Sequence, residues 1–190
     1  MHKFTFFFLC TLLLLTGAAE AKQVPDAELR TLLTKTVNES SSFYDRFDAE
    51  VWLVDMSGRL KRYIKDPEQR LEVLKRVHAE AKRAELAPEL VMSLIHVESA
   101  FKRFAISSVG AQGLMQVMPF WKNEIGRPDD NLTNIETNLR YGCTILKHYI
   151  NKEKGNLIRA LGRYNGSLGK IKYPEKVLRF WQEYWFINHQ

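Results

Sequence analysis

Cysteine is almost missing from this 190-residue sequence: there are two, Cys10 and Cys143. Cys10 lies in an apolar N-terminal run, so a chain that loses that run keeps one thiol and cannot close an internal disulfide. A disulfide-stapled scaffold is therefore excluded. Metal-like spacing is also missing. His78, on an apolar helical stripe, has no second His, Cys or carboxylate near it at ligand spacing, so a packed histidine is expected and neither metal nor cofactor is called for. Long apolar stretches are scarce. Residues 4–15, interrupted only by Thr5 and Thr11, are too short for a comfortable bilayer crossing. No strand-like alternation, internal repeat or long structureless linker is visible, and the expected fold is all-α.

The N-terminus reads as a targeting segment. His2 and Lys3 precede the apolar run, and Ala19-Glu20-Ala21 supplies small residues at a cleavage site, so residues 1–21 are expected to be a signal peptide cleaved after Ala21. Residues 22–190 are long enough to bury a substantial core. With 28 Lys and Arg against 22 Asp and Glu the formal charge is +6, unchanged on removing Lys3 and Glu20. Such a chain suits an anionic polymer, and an export signal argues against nucleic acid. It points to the cell envelope or periplasm.

Two helices are expected between residue 26 and about residue 64. Leu29, Leu32 and Leu33 share a face of the first; Phe43, Phe47, Val51 and Val54 follow helical spacing in the second, with Ser40 to Ser42 as cap candidates. Asp45, Asp48, Glu50 and Asp55 read as a solvated face. Asp66-Pro67-Glu68-Gln69 is a strong helix start, and Leu71, Leu74, His78, Ala81 and Glu85 follow it at helical spacing.

The chain is organised around residues 90–119, LVMSLIHVESAFKRFAISSVGAQGLMQVMP. Pro88 and Glu89 begin a helix whose apolar stripe is Val91, Leu94 and Ile95. Glu98 lies seven, four and three residues beyond these, on the same face. A carboxyl taken into a core without a cationic partner is pushed toward its protonated form, which is what a general acid needs; a helix ending near His96 would instead leave an ordinary solvated glutamate. Further on, Gln116 sits among Leu114, Met115, Val117 and Met118, where an amide must find partners.

Beyond the motif, a short helical piece is expected over residues 120–125. A long helix follows from about residue 134 with Ile135, Leu139, Gly142, Leu146 and Ile150 inward, Gly142 allowing a close helix contact. Cys143 in that helix reads as a small buried core residue. Asn156 can cap a helix over residues 157–165 with Leu157, Ala160, Leu161 and Tyr164 inward. A last helix over about residues 174–186 carries Val177, Phe180, Trp181, Tyr184 and Trp185.

Glu98-Ser99 followed by Gly110-Ala111-Gln112-Gly113-Leu114-Met115-Gln116-Val117-Met118-Pro119, with Arg163-Tyr164-Asn165-Gly166 and Tyr173-Pro174-Glu175-Lys176-Val177, resembles the soluble (SLT-type) lytic transglycosylases. These are lysozyme-like enzymes that cleave peptidoglycan glycan strands. The resemblance spans about residues 86–180 and implies a lysozyme-like catalytic domain over residues 86–190. The amphipathic helical region ahead of it, 22–85, is expected to pack on it as a scaffold, the alternative being that it docks a partner. It makes Glu98 the catalytic acid and Ser107 a hydroxyl that positions it. Met115, Gln116 and Met118 match cleft-lining positions, Tyr164 and Asn165 the pair near the carboxyl, and Tyr173 the aromatic before the last helix. The chain departs from the family at Arg163 and Gly166-Ser167, where Ala-Tyr-Asn-Ala-Gly is common, and at Arg103, where proline is common.

Most glycosidases use two carboxyls. Here Glu98 alone sits in a motif; Glu124, Asp129, Asp130 and Glu136 fall at helix ends or in a polar turn, where acidic residues need no catalytic explanation. In the enzymes this chain resembles, the substrate's N-acetyl oxygen replaces the second carboxyl. The resemblance thus implies cleavage between N-acetylmuramic acid and N-acetylglucosamine with 1,6-anhydro ends, by a monomer that needs no cofactor. A lysozyme-type hydrolase and a wall-binding component of an envelope-spanning machine, with a protein partner, are the alternatives.

Overall fold

Side-chain caps set most of the helix starts. In the structure, a computed structural model that describes residues 31–34, 36–37 and 41–187, Asp45 opens helix α1 (Arg46–Leu60) by accepting from the Asp48 amide at 2.8 Å. Asp66 opens α2 (Pro67–Arg83) through the amides of Glu68 and Gln69 at 2.8 and 3.2 Å. Asn134 and Asn156 do the same for α5 (Ile135–Lys152) and α6 (Leu157–Tyr164). Helix α3 (Pro88–Ser99) starts on Pro88 with no side-chain cap, and α4 is the short Trp121–Ile125. Helix α7 (Lys172–Phe180) widens into a π-helical turn, Trp181–Trp185. Among the described residues there are no strands. Isolated bridges join Ile106 to Gln112 and Gln112 to Val117.

The fold is all-α, and α3 is its centre. Val91, Met92, Leu94 and Ile95 have no exposed surface, and the helix packs against α2, α7 and the π-helical turn. One core cluster runs from Leu33 through Leu53, Met56, Leu74, Ile95, Leu139 and Leu161 to Trp185. Polar side chains stitch its outer elements. Buried Glu80 of α2 accepts from Arg83 and from Arg140 of α5, and buried Arg70 donates to the carbonyls of Ile64 and Lys65 at 3.0 and 2.7 Å. Arg59 of α1 reaches the carbonyls of Tyr184 and Phe186.

Several expectations need correction. The inner face of α1 is Ala49, Trp52, Leu53, Met56 and Leu60, whereas Phe47 and Val51 are 74% and 49% exposed. The stripe that wins contains a tryptophan and two leucines and adds a bond from Trp52 Nε1 to Glu89 Oε1 at 2.7 Å. Asp45 caps the helix; Ser42 instead bonds to His78 Nδ1 at 2.8 Å. Asp55 is half-buried and paired with Arg59, leaving Asp45, Asp48 and Glu50 as the solvated acids. Glu85 leaves the stripe of α2 because the helix ends at Arg83, and it pairs with Lys147. The last helix begins at Lys172, two residues before Pro174. Leu29, Ser40 and residues 1–21 lie outside the described residues. His78, stacked on Phe43 with centroids 3.6 Å apart, and Cys143 are both buried.

Candidate active site

Glu98 stands in the last turn of α3, the point at which the chain leaves the core. Ala100 and Phe101 follow it in the left-handed region, at φ 49° and 63°, and turn the backbone sharply back. Next door, the Ser99 hydroxyl lies 2.8 Å from the Leu114 carbonyl, which fastens the helix end to the loop of residues 110–119. The Glu98 side chain is half-buried. Burial raises its pKa to about 7, against the opposing effects of a hydrogen bond from Tyr173 and the charge of Lys176. The Tyr173 hydroxyl donates to Glu98 Oε1, so Oε2 is the oxygen left to carry a proton. Tyr173 lies in the first turn of α7 rather than ahead of it. Burial and the neighbouring Glu98 push both Tyr173 and Tyr164 well above the ordinary tyrosine range, so both keep their protons.

The loop that faces Glu98 is held largely by one side chain that sequence reasoning passed over. Asn138 of α5, 1% exposed, accepts from the Met115 amide at 2.8 Å. Its Nδ2 donates to the carbonyls of Gln112 and Leu132, both at 2.8 Å. Gly113 allows this approach. It sits at φ +76°, and a Cβ there would press into the Leu132 carbonyl and the Asn138 amide. An asparagine at an inward helix position beside Leu139 was the available signal, since a buried amide requires partners.

The predicted site residues fall into two groups. Tyr164, at the end of α6, donates to the Met115 carbonyl at 2.8 Å, so Glu98, Tyr173, Tyr164 and the Met115 backbone form one constellation. The Met115 side chain is fully buried, because Gly142 leaves a notch that it fills; the residue contributes its carbonyl to the site, and the close contact at Gly142 is with this loop rather than with a helix. Gln116, half-buried at φ 48°, donates Nε2 to the carbonyls of Ala105 and Gly113 at 3.1 and 2.9 Å. Ser107 accepts from the Ala111 amide at 3.0 Å and makes no hydrogen bond to Glu98. Met118 is half-buried, and exposed Asn165 ends α6. Arg163, beside Tyr164, pairs with Glu153 together with Arg159, and Arg103 donates to the Thr133 carbonyl at 3.1 Å.

Among the described residues no carboxylate bonds to Glu98, and the groups that act on its charge are Tyr173 and Lys176. Asp130 accepts from Tyr141 and the Arg127 amide, and Glu136 pairs with Arg76. Among the described residues no group of three His, Cys, Asp or Glu could hold a metal.

With this geometry in place, the profile of the transglycosylase SLT domain matches residues 75–180. The chain belongs to the transglycosylase SLT domain family. The match begins inside α2 and runs to the end of α7, so Glu98, the 110–119 loop, Asn138, Tyr164 and Tyr173 all lie within the SLT domain. Among solved structures, an inactive mutant of the lytic transglycosylase Slt from Pseudomonas aeruginosa is similar at 23% identity and a TM-score of 0.46, over 76% of this chain and 31% of that one. The 70 kDa soluble lytic transglycosylase from Escherichia coli is similar at 17% identity and 0.42, over 80% and 29%. The same enzyme in complex with bulgecin A gives 18% and 0.42, over 79% and 29%. The chain thus spans less than a third of the length of these solved chains.

Proposed function

We propose that this SLT domain is a peptidoglycan lytic transglycosylase, acting in the periplasm or cell envelope after export, with Glu98 as its only acid and base. The observation that carries the reading is a carboxyl brought to about pKa 7 by burial, with one oxygen held by Tyr173 and the other left for a proton. At neutral pH a substantial fraction of Glu98 is protonated. It can give that proton to the glycosidic oxygen between N-acetylmuramic acid and N-acetylglucosamine as the bond breaks.

Among the described residues no carboxylate bonds to Glu98, and in this reading the nucleophile comes from the substrate. The muramic N-acetyl oxygen attacks its own anomeric carbon on the face opposite the leaving sugar. Glu98, now ionised, takes the proton from the sugar's 6-hydroxyl, and that oxygen closes the 1,6-anhydro ring while the N-acetyl group is released. The carboxyl regains its starting state and no water is consumed. The Tyr173 hydroxyl stabilises the carboxylate between the two steps, while Tyr164 holds the Met115 carbonyl and Asn138 the Met115 amide. Residues 22–85 act as a scaffold for residues 86–190 in this reading, and the working unit is a monomer.

Incubation of residues 22–190 with purified sacculi tests it. Soluble muropeptides ending in 1,6-anhydro-muramic acid are expected, each lighter by one water than a reducing product. A digest dominated by the reducing species would make the enzyme a hydrolase, and co-sedimentation without release would make it a binder.

A further inference from the structure

Tyr173, Lys176, Phe180 and Tyr184 recur at three- and four-residue spacing through α7 and the π-helical turn, which puts them on one stripe. Tyr173 meets Glu98. Further along, Phe180 and Tyr184 meet His96, with centroids 4.2 and 5.6 Å apart. His96 precedes Glu98 in α3, so the two helices run in opposite directions, and the seam between them leads away from the acid.

Cations line the edge of that seam. Lys176 Nζ lies 5.9 Å from the Phe180 ring centre and Arg179 Cζ 5.7 Å from the same ring. Arg62, from the chain just past α1, lies 4.9 Å from the ring centres of both Tyr63 and Tyr184. All three are exposed, and none is ion-paired to a carboxylate among the described residues, whereas basic side chains of α2, α5 and α6 are. Glu175 and Glu183 share the stretch, are exposed, and bond to none of the three. Lys176 stands close enough for its charge to act on both Glu98 and His96. Each cation thus lies against an aromatic ring and is also exposed to solvent, where an anion can reach it.

We propose that Arg62, Lys176 and Arg179 form an anion subsite that holds carboxylates of the peptide stems on the glycan strand being cut. The inference rests on the substrate class given above and adds which part of the strand is recognised. A strand lying across Glu98 carries a stem on every muramic sugar, and each stem offers carboxylates within reach of a seam that starts at the acid. Aromatic support holds the cations in place, so less side-chain freedom is lost on binding.

The test uses Glu98→Gln, which holds strands without cutting them, and three probes: stem-bearing glycan strands, the same strands stripped of stems by an amidase, and stem-bearing strands whose carboxylates are capped as amides. Glu98→Gln is expected to bind the stem-bearing strands more tightly than either of the others. Adding Lys176→Gln and Arg62→Gln should remove that preference, a loss on the order of tenfold at low salt that fades at high ionic strength. Lys176→Arg should retain it. Equal binding of all three probes, a preference that survives capping, or one that survives both substitutions would overturn the subsite. Product release by the unmutated protein is followed in parallel. Its absence would sink the transglycosylase reading and leave the binding comparison standing.

Discussion

Glu98 and Tyr173 pull the same proton in opposite directions. Burial holds the carboxyl near pKa 7 against an ordinary 4.5, so keeping it ionised in the fold costs about 3 kcal/mol. A carboxyl whose folded pKa is raised leaves the native state holding more protons than the unfolded chain between those values, so its contribution to stability falls as pH rises from 4.5 through 7. Glu98→Gln removes that cost along with the acid. The variant is expected to lose 10²-fold or more in cleavage rate and to match the unmutated protein in thermal midpoint at pH 4. By pH 8 it should unfold several degrees higher. A midpoint difference that does not grow with pH would mean the carboxyl is solvated. Tyr173→Phe removes a bond that favours the ionised form, so Glu98 should stay protonated to higher pH. The alkaline limb of the pH–rate profile is expected to move upward, with a smaller loss of rate than Glu98→Gln. A limb moving downward would assign the hydroxyl a different role.

At the scale of elements, the 110–119 loop is shaped by α5. Asn138 satisfies one amide and two carbonyls, and Gly142 one turn later makes the notch that seats Met115. Asn138→Leu keeps the volume and strips out all three bonds. The Gln112 carbonyl keeps the Val117 amide at 2.9 Å, so the Met115 amide and the Leu132 carbonyl are the groups left without a partner; at about 1–3 kcal/mol each, a loss of stability of at least about 2 kcal/mol in denaturant titration is expected. Because the loop carries the carbonyl that receives Tyr164, activity should fall even at temperatures where the variant stays folded. Full activity in the folded variant would show that the site does not depend on the loop's exact course.

At the scale of the molecule, the N-terminal helices and the SLT domain share one core. Leu53, Met56 and Leu60 of α1 have no exposed surface, Trp52 bonds to Glu89, and Tyr63 lies 2.5 Å from His96 Nε2. A fragment starting at residue 84 would bare the faces of α3 and α5 that these helices cover. At roughly 25 cal/mol per Å² of apolar surface, each few hundred Å² laid bare costs an amount comparable with the 5–15 kcal/mol by which a domain this size is stable. The fragment is expected to be insoluble or unfolded by circular dichroism. A well-folded, active fragment would make residues 22–85 a separate appendage.

Helix placement was legible from residues 66 to 165 because local chemistry decides it: Asp66, Asn134 and Asn156 cap, Pro67 and Pro88 start helices, and the apolar stripes fix the inner faces of α2, α3, α5 and α6. The resemblance named Glu98, Tyr164 and Tyr173 because that signature is a fixed order of residues. What sequence left open depends on contacts between distant parts of the chain. The inner face of α1 could not be chosen from spacing, because Phe43-Phe47-Val51 and Trp52-Leu53-Met56 are both helical stripes and only the surface they meet selects one. Asn138 looked like any helix asparagine until a loop 23 residues earlier in the chain came to lie on it. The bond from Tyr173 to Glu98 joins positions 75 residues apart, and the acidity of Glu98 follows from how deeply that packing buries it. Sequence by itself determined the candidates, Glu98 with Tyr164 and Tyr173; the tertiary structure decided their protonation and their partners, because desolvation and hydrogen bonding depend on what surrounds a group in space.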